Sequence, residues 1–190
     1  MNILLGLTGS VAAIKFHKLY EELSLVGEVK MVATKSAAKI IQSSLEDAKL
    51  GDVRLSLASK IITDEDEWQW KKVGDPVLHV GLANWADVLV LAPLSANTLA
   101  KISNGLCDNL LTCIYICYNV EKPFIIAPAM NTNMWNHPLT GKHIAEIKLR
   151  NLNRKGIIVD PIEKKLACGD VGIGAMAEAK DIAAAVRKLI

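Results

Sequence analysis
Five short apolar runs, alternating with helical patterns, restrict the folds open to this chain more than any other feature. They are Asn2 to Thr8, Glu28 to Thr34, Asp87 to Ala92, Phe124 to Ala127 and Gly156 to Asp160. Helical patterns fall at Val11 to Val26, Asn97 to Ser103, Asn109 to Tyr118, Leu139 to Asn151 and Lys180 to Leu189. Runs so apolar suit strands covered on both faces, and the alternation predicts a parallel sheet with helices on both sides. The stretch Asp47 to Trp70 carries the weakest pattern. Its apolar residues allow a strand near Arg54 to Ile62, and the acidic cluster Asp64 to Glu67 reads as an exposed turn. No repeat or linker interrupts the chain, so 190 residues at 51% hydrophobic read as one domain with a sizeable core.

Charge and cysteine content exclude several classes of function. Lys and Arg number 22 against 20 Asp and Glu, and no basic run is interleaved with aromatics, so nucleic-acid binding has no electrostatic support. The opening MNILLGLTGSVAA lacks a basic n-region and runs into Gly and Ser, which reads as a first strand and not a signal peptide. No apolar run reaches the roughly 18 residues of a membrane span. Cys107, Cys113, Cys117 and Cys168 form no C-x-x-C pair and have no His at zinc-ligand spacing, so no metal is expected. Cys113 and Cys117 lie in an apolar helical run as small hydrophobes, and the expected setting is reducing and cytoplasmic.

Polar turns recur at the carboxyl ends of the expected strands. Gly9, Ser10 and Val11 follow the first and open a helix, where free backbone N–H groups and the helix dipole favour an anion. Thr34, Lys35 and Ser36 follow the second; Ser95, Ala96, Asn97 and Thr98 follow the third. Pro128 stops the fourth, and Ala129, Met130, Asn131, Thr132, Asn133, Met134 and Trp135 come after it. The Asn131 amide can hold a carboxylate while Met130 and Trp135 supply shape and exclude water; equally, Asn131 can cap the next helix. A full G-x-G-x-x-G and a Walker lysine are both missing, which weakens dinucleotide and ATP readings. Converging on one rim, these turns suit one phosphate and one planar ring system, a mononucleotide. His79 lies in a helical run, as a structural or a catalytic residue. Cys168 lies in LACGDVGIGAMAE, where three glycines in six positions suggest a mobile flap.

GSVAA at Gly9 to Ala13, PLSANTLAKI at Pro93 to Ile102, NGLCDNLL at Asn104 to Leu111, PAMNTNMW at Pro128 to Trp135 and LACGDVGIGAMAE at Leu166 to Glu178 together resemble the FMN-dependent cysteine decarboxylase family. The resemblance runs from Asn2 to about Ala185 with matching motif order. It implies a flavodoxin-like (Rossmann-like) three-layer sandwich, a homotrimer with FMN between subunits, and a small-molecule substrate. Within the family, the motifs lie nearest the branch that decarboxylates phosphopantothenoylcysteine in coenzyme A biosynthesis. By the same resemblance Gly9, Ser10, Val11, Thr34, Ser36, Ser95, Ala96, Asn97 and Thr98 hold FMN. Asn131, with Met130 and Ala129, holds the substrate, His79 is the base at the subunit interface, and Cys168 donates a proton. Ile40 stands where the family often carries an aromatic residue.

The residue chemistry agrees with that implication. Loss of CO2 from a cysteine derivative leaves an unstable carbanion, and transient oxidation by a flavin creates an electron sink for it. A cysteine thiol ordinarily titrates at about pH 8.5, so Cys168 is protonated at neutral pH and able to return a proton. Three alternatives stand beside this reading: a decarboxylase of peptidyl cysteine, a non-catalytic phosphatase-regulating flavoprotein and an electron-transfer flavoprotein. The phosphatase-binding relatives carry long, often acidic extensions, and the chain as read to Ile190 has none.

Overall fold
In the computed structural model the described residues are 1–46, 48–49, 52–150, 156–165, 169 and 171–189. Strand β1 (Asn2–Leu7) leads through a 3-10 turn (Val11–Lys15) into helix α1 (Phe16–Ser24), followed by β2 (Glu28–Ala33) and α2 (Lys35–Ser43). Then come α3 (Val53–Ala58), the two-residue β3 (Ile61–Ile62), α4 (Asp64–Glu67) and α5 (Leu78–Trp85). The rest of the large sheet and its helices are β4 (Val88–Leu94), α6 (Ala96–Asn104), α7 (Leu110–Cys117), β5 (Phe124–Pro128), α8 (Thr132–Trp135), α9 (Pro138–Arg150) and β6 (Gly156–Ile158). A hairpin, β7 (Ile162–Lys165) and β8 (Val171–Ala175), precedes the last helix, α10 (Ala179–Arg187).

Six parallel strands stand in the order β3-β2-β1-β4-β5-β6. Without the two-residue edge strand β3, the remaining five run second, first, third, fourth, fifth, the flavodoxin order. The direction of strand growth reverses between β1 and β4, and ligand crevices of such sheets open there. Every residue of β4 and β5 is buried, which explains why these runs are apolar without alternation.

Side chains still alternate between two cores. Ile3, Leu5 and Leu7 enter the core under α1, α2 and α10, while Leu4 enters the one under α5, α6, α7 and α9. Gly6 is needed on the second face: a Cβ there would stand 2.6 Å from Leu111 and from Leu91. No helix among the described residues is long and apolar enough to cross a membrane.

Several expectations need correction. The strand sought near Arg54 to Ile62 is mostly helix α3, with pairing confined to Ile61 and Ile62. Asp52 starts that helix by accepting from Arg54 N at 2.9 Å, a capping signal that outweighs the β-prone side chains. The acidic cluster is helix α4, not an exposed turn, and its carboxylates are engaged within the fold: Asp64 accepts from Leu110 N, Asp66 from Thr63 N and Glu67 from His79 N. Helix α2 has no counterpart among the expected helices, because Thr34 suits a phosphate turn; it also caps, accepting from Ala37 N at 3.4 Å. Cys117 is exposed at the end of α7 and does not act as a core hydrophobe. Within the glycine-rich flap, Val171–Ala175 form strand β8, paired antiparallel to β7. Its glycines answer to close approach: a Cβ on Gly172 would lie 2.4 Å from Thr132 Oγ1, and one on Gly174 would lie 2.2 Å from Met130 O.

Candidate functional site
Thr8 begins the construction, at the point where β1 and β4 part. Its buried hydroxyl donates to Pro93 O at 2.7 Å and accepts from Ser95 N at 2.7 Å. A further bond runs from Thr8 N to Pro93 O. The first and third turns are thereby locked together across the switch point. Each turn then begins a helix with a hydroxyl cap: Ser10 accepts from Ala12 N, Thr34 from Ala37 N and Ser95 from Thr98 N. Residues of these helix starts line the rim, and free N–H groups and dipoles at helix starts favour an anion.

Two adjoining clefts occupy this rim and share Gly9, Ser95 and Asn97. The smaller, of about 220 Å³, is lined by Thr34, Ser36 and Thr98 together with two cations, Lys35 and Lys101, and two carboxylates, Asp64 and Asp108. The larger, of about 590 Å³, is mostly apolar and takes in Ser10, Val11, Ala96, Ala129, Met130 and Asn131. Gly9 sits at the junction, and a Cβ there would stand 2.7 Å from Ser36 Cβ. A polar pocket opening into an apolar cleft of this size fits a phosphate and a flat ring on one molecule. FMN has those two parts.

Asn131 is the cap of α8 and also stands in the wall of the apolar cleft. Its side-chain oxygen accepts from Asn133 N at 2.8 Å. Behind it, Met130 N donates to Gly174 O at 2.9 Å, so hairpin β7-β8 is fastened to the PAMN turn. Met134, not Trp135, forms the apolar wall with Met130; Trp135 packs back onto the core under α9. Ile40 points into the core under α1 and α2 and is absent from the lining of both clefts.

Sequence reasoning missed the cations of the larger cleft, Lys15 and Lys164. Lys164 pairs with Glu178 at 3.0 Å. That bond, reinforced by the charge of Lys15, holds the Glu178 carboxyl below its usual range. Lys15 ends the 3-10 turn whose start also lines the cleft, whereas Lys164 is brought there by strand β7 through tertiary packing. In the smaller cleft, the Lys101 hydrogen bond likewise holds the Asp108 carboxyl down.

His79 is not brought to the clefts of its own chain. It lies near the start of α5, where its Nδ1 is 2.6 Å from Glu67 Oε1 and its backbone N is 3.0 Å from Glu67 Oε2. The Cys113 thiol is pushed up by burial first, then by the charges of Cys107 and Glu67. Cys168 lies outside the described residues.

Residues 1–190 match the Flavoprotein family. The chain belongs to that family. It is 52% identical over 189 residues to phosphopantothenoylcysteine decarboxylase of Oryza sativa subsp. japonica, covering 98% of this chain and 79% of that protein. Among solved structures, a cysteine-to-serine variant of PPC decarboxylase complexed with pantothenoylaminoethenethiol superposes with TM-score 0.86 at 48% identity, over 98% of this chain and 96% of that one. The FMN binding protein AtHal3 gives TM-score 0.82 at 49% identity, over 98% and 95%.

Proposed function
We propose that the chain is an FMN-dependent carboxy-lyase that converts phosphopantothenoylcysteine to phosphopantetheine in coenzyme A biosynthesis. The observation that carries this reading is the polar cleft opening into an apolar one, with Asn131 in the wall of the latter. High identity over almost the whole chain to a phosphopantothenoylcysteine decarboxylase supports it. FMN, when bound, supplies a reversible two-electron exchange that gives the substrate carbon an electron sink.

The protein's own residues do the rest. Gly9, Ser10, Val11, Thr34, Ser36, Ser95, Ala96, Asn97 and Thr98 hold the cofactor at the rim. The Asn131 amide donates to the substrate carboxylate, with Ala129 and Met130 shaping the pocket. An amide leaves that carboxylate without a full opposite charge, so the ground state is not over-stabilised against CO2 loss. Met130 and Met134 keep water from the reacting carbon. His79 serves as base toward the substrate thiol, and Cys168 returns a proton to the product carbon.

A homotrimer with FMN between subunits completes the reading. In the segment between Glu67 and His79, Trp68 is 80% exposed, Val73 93% and Val77 42%, large apolar side chains that suit burial against another copy. A reducing, cytoplasmic setting suits the free thiols Cys107, Cys113 and Cys117.

The test is direct. The purified protein should be yellow and should release CO2 from phosphopantothenoylcysteine without added oxidant. A colourless protein that refuses FMN overturns the reading, and CO2 release only from a peptide ending in cysteine favours the peptidyl-cysteine enzyme.

A further inference from the structure
Helix α5 opens without a side-chain cap of its own: Val77 stands at the cap position and offers the first-turn amides no acceptor. The acceptor comes from twelve residues earlier. Glu67, last residue of α4, places Oε2 at 3.0 Å from His79 N and Oε1 at 2.6 Å from His79 Nδ1. One carboxylate thus grips the backbone and the ring of the same residue. Two bonds to one rigid, planar group leave the imidazole little freedom about its side-chain torsions. The pair is sheltered, the His79 side chain being 29% exposed and that of Glu67 19%.

From this arrangement we infer that Glu67 is the positioning residue for His79, fixing its ring orientation and its tautomer. An ionised carboxylate only accepts hydrogen bonds, so Nδ1 carries a proton whether the ring is neutral or cationic. The proton that comes and goes is therefore the one on Nε2, and Nε2 is the nitrogen presented to substrate. A ring free to exchange tautomers would spend part of its time with Nε2 already protonated and unable to act as a base. The location of Glu67 supports this role. Asp64, on the same short helix, accepts from Leu110 N at 2.7 Å and lines the polar cleft, so α4 ties the His79 ring to the wall of the cofactor site.

This inference rests on His79 being the base, and the experiment separates the two. Glu67→Gln is the informative variant, because its amide oxygen still caps the His79 backbone while its NH2 faces Nδ1 as a donor. The helix start survives and the tautomer reverses. Ring nitrogens of protein labelled with 15N-histidine, with His79 assigned by comparison with His79→Gln, report the tautomer at a pH where imidazoles are neutral. This readout serves with and without FMN. The wild-type protein is expected to carry the proton on Nδ1 and Glu67→Gln on Nε2. Decarboxylation should fall about 10- to 100-fold in kcat with KM nearly unchanged, the size typical of a lost supporting hydrogen bond. Wild-type protein with the proton on Nε2 overturns the inference without any variant, as does a Glu67→Gln enzyme with reversed tautomer and full kcat. A fully active His79→Gln enzyme overturns instead the reading of His79 on which the inference rests.

Discussion
Thr8 shows how much depends on one buried hydroxyl. Its Oγ1 serves Pro93 O and Ser95 N at once, and valine fills the same space with no polar atom. Thr8→Val should leave that carbonyl and that amide without the hydroxyl and lower stability by about 2 kcal/mol, read from denaturant midpoints. Because only the backbone bond from position 8 to Pro93 O then joins the first and third turns, FMN should also bind more weakly in fluorescence titration. The Lys101–Asp108 pair predicts a pH effect. Bonding to Lys101 depresses the Asp108 pKa in the folded protein, so its contribution is present above the ordinary carboxylate range and is lost as pH falls through the depressed value. Both groups reach solvent, and screening limits the effect to a few tenths of a kcal/mol. Unfolding midpoints of wild type and Asp108→Asn should converge on acidification and differ at neutral pH.

At the scale of elements, α4 makes the instructive case. Four successive acidic residues in a chain read as a solvated turn, since like charges repel and hydrate well. In the fold Asp64 reaches Leu110 N, Asp66 returns to Thr63 N at 2.8 Å, and Glu67 reaches His79. The helix is a bracket between α5 and α7. Asp64→Ala should therefore cost about 1 kcal/mol, the usual worth of a helix cap, measured as a shift in thermal or urea midpoint. Hairpin β7-β8 teaches the opposite lesson. Glycine density in 169–174 reads as mobility, yet Gly172 and Gly174 are small because α8 and the Met130 carbonyl press against them. Spacing in the sequence cannot separate these two reasons for a glycine, because both ask only for the missing side chain.

At the scale of the molecule, the cofactor rim and His79 are separate within one chain, and the proposed trimer is what would unite them. Replacing Trp68 and Val73 together by Asp and Lys should yield monomers by light scattering, with decarboxylation reduced at least tenfold and the fold preserved by circular dichroism. A trimer that survives the double substitution argues for another contact face.

The parallel sheet, five of its six strands and the polar turns that follow four of them were legible from the residues themselves. Fully buried strands demand continuous apolar runs, and helix starts demand hydroxyl or amide caps, so both leave a local mark. The motif resemblance added the candidate roles of Asn131, His79 and Cys168. Three things required the tertiary structure: the joining of the two clefts at Gly9, the arrival of Lys164 at the larger one, and the grip of Glu67 on His79. Each is a contact between segments distant along the chain, and such contacts obey the packing of helices on a twisted sheet rather than any period a sequence displays.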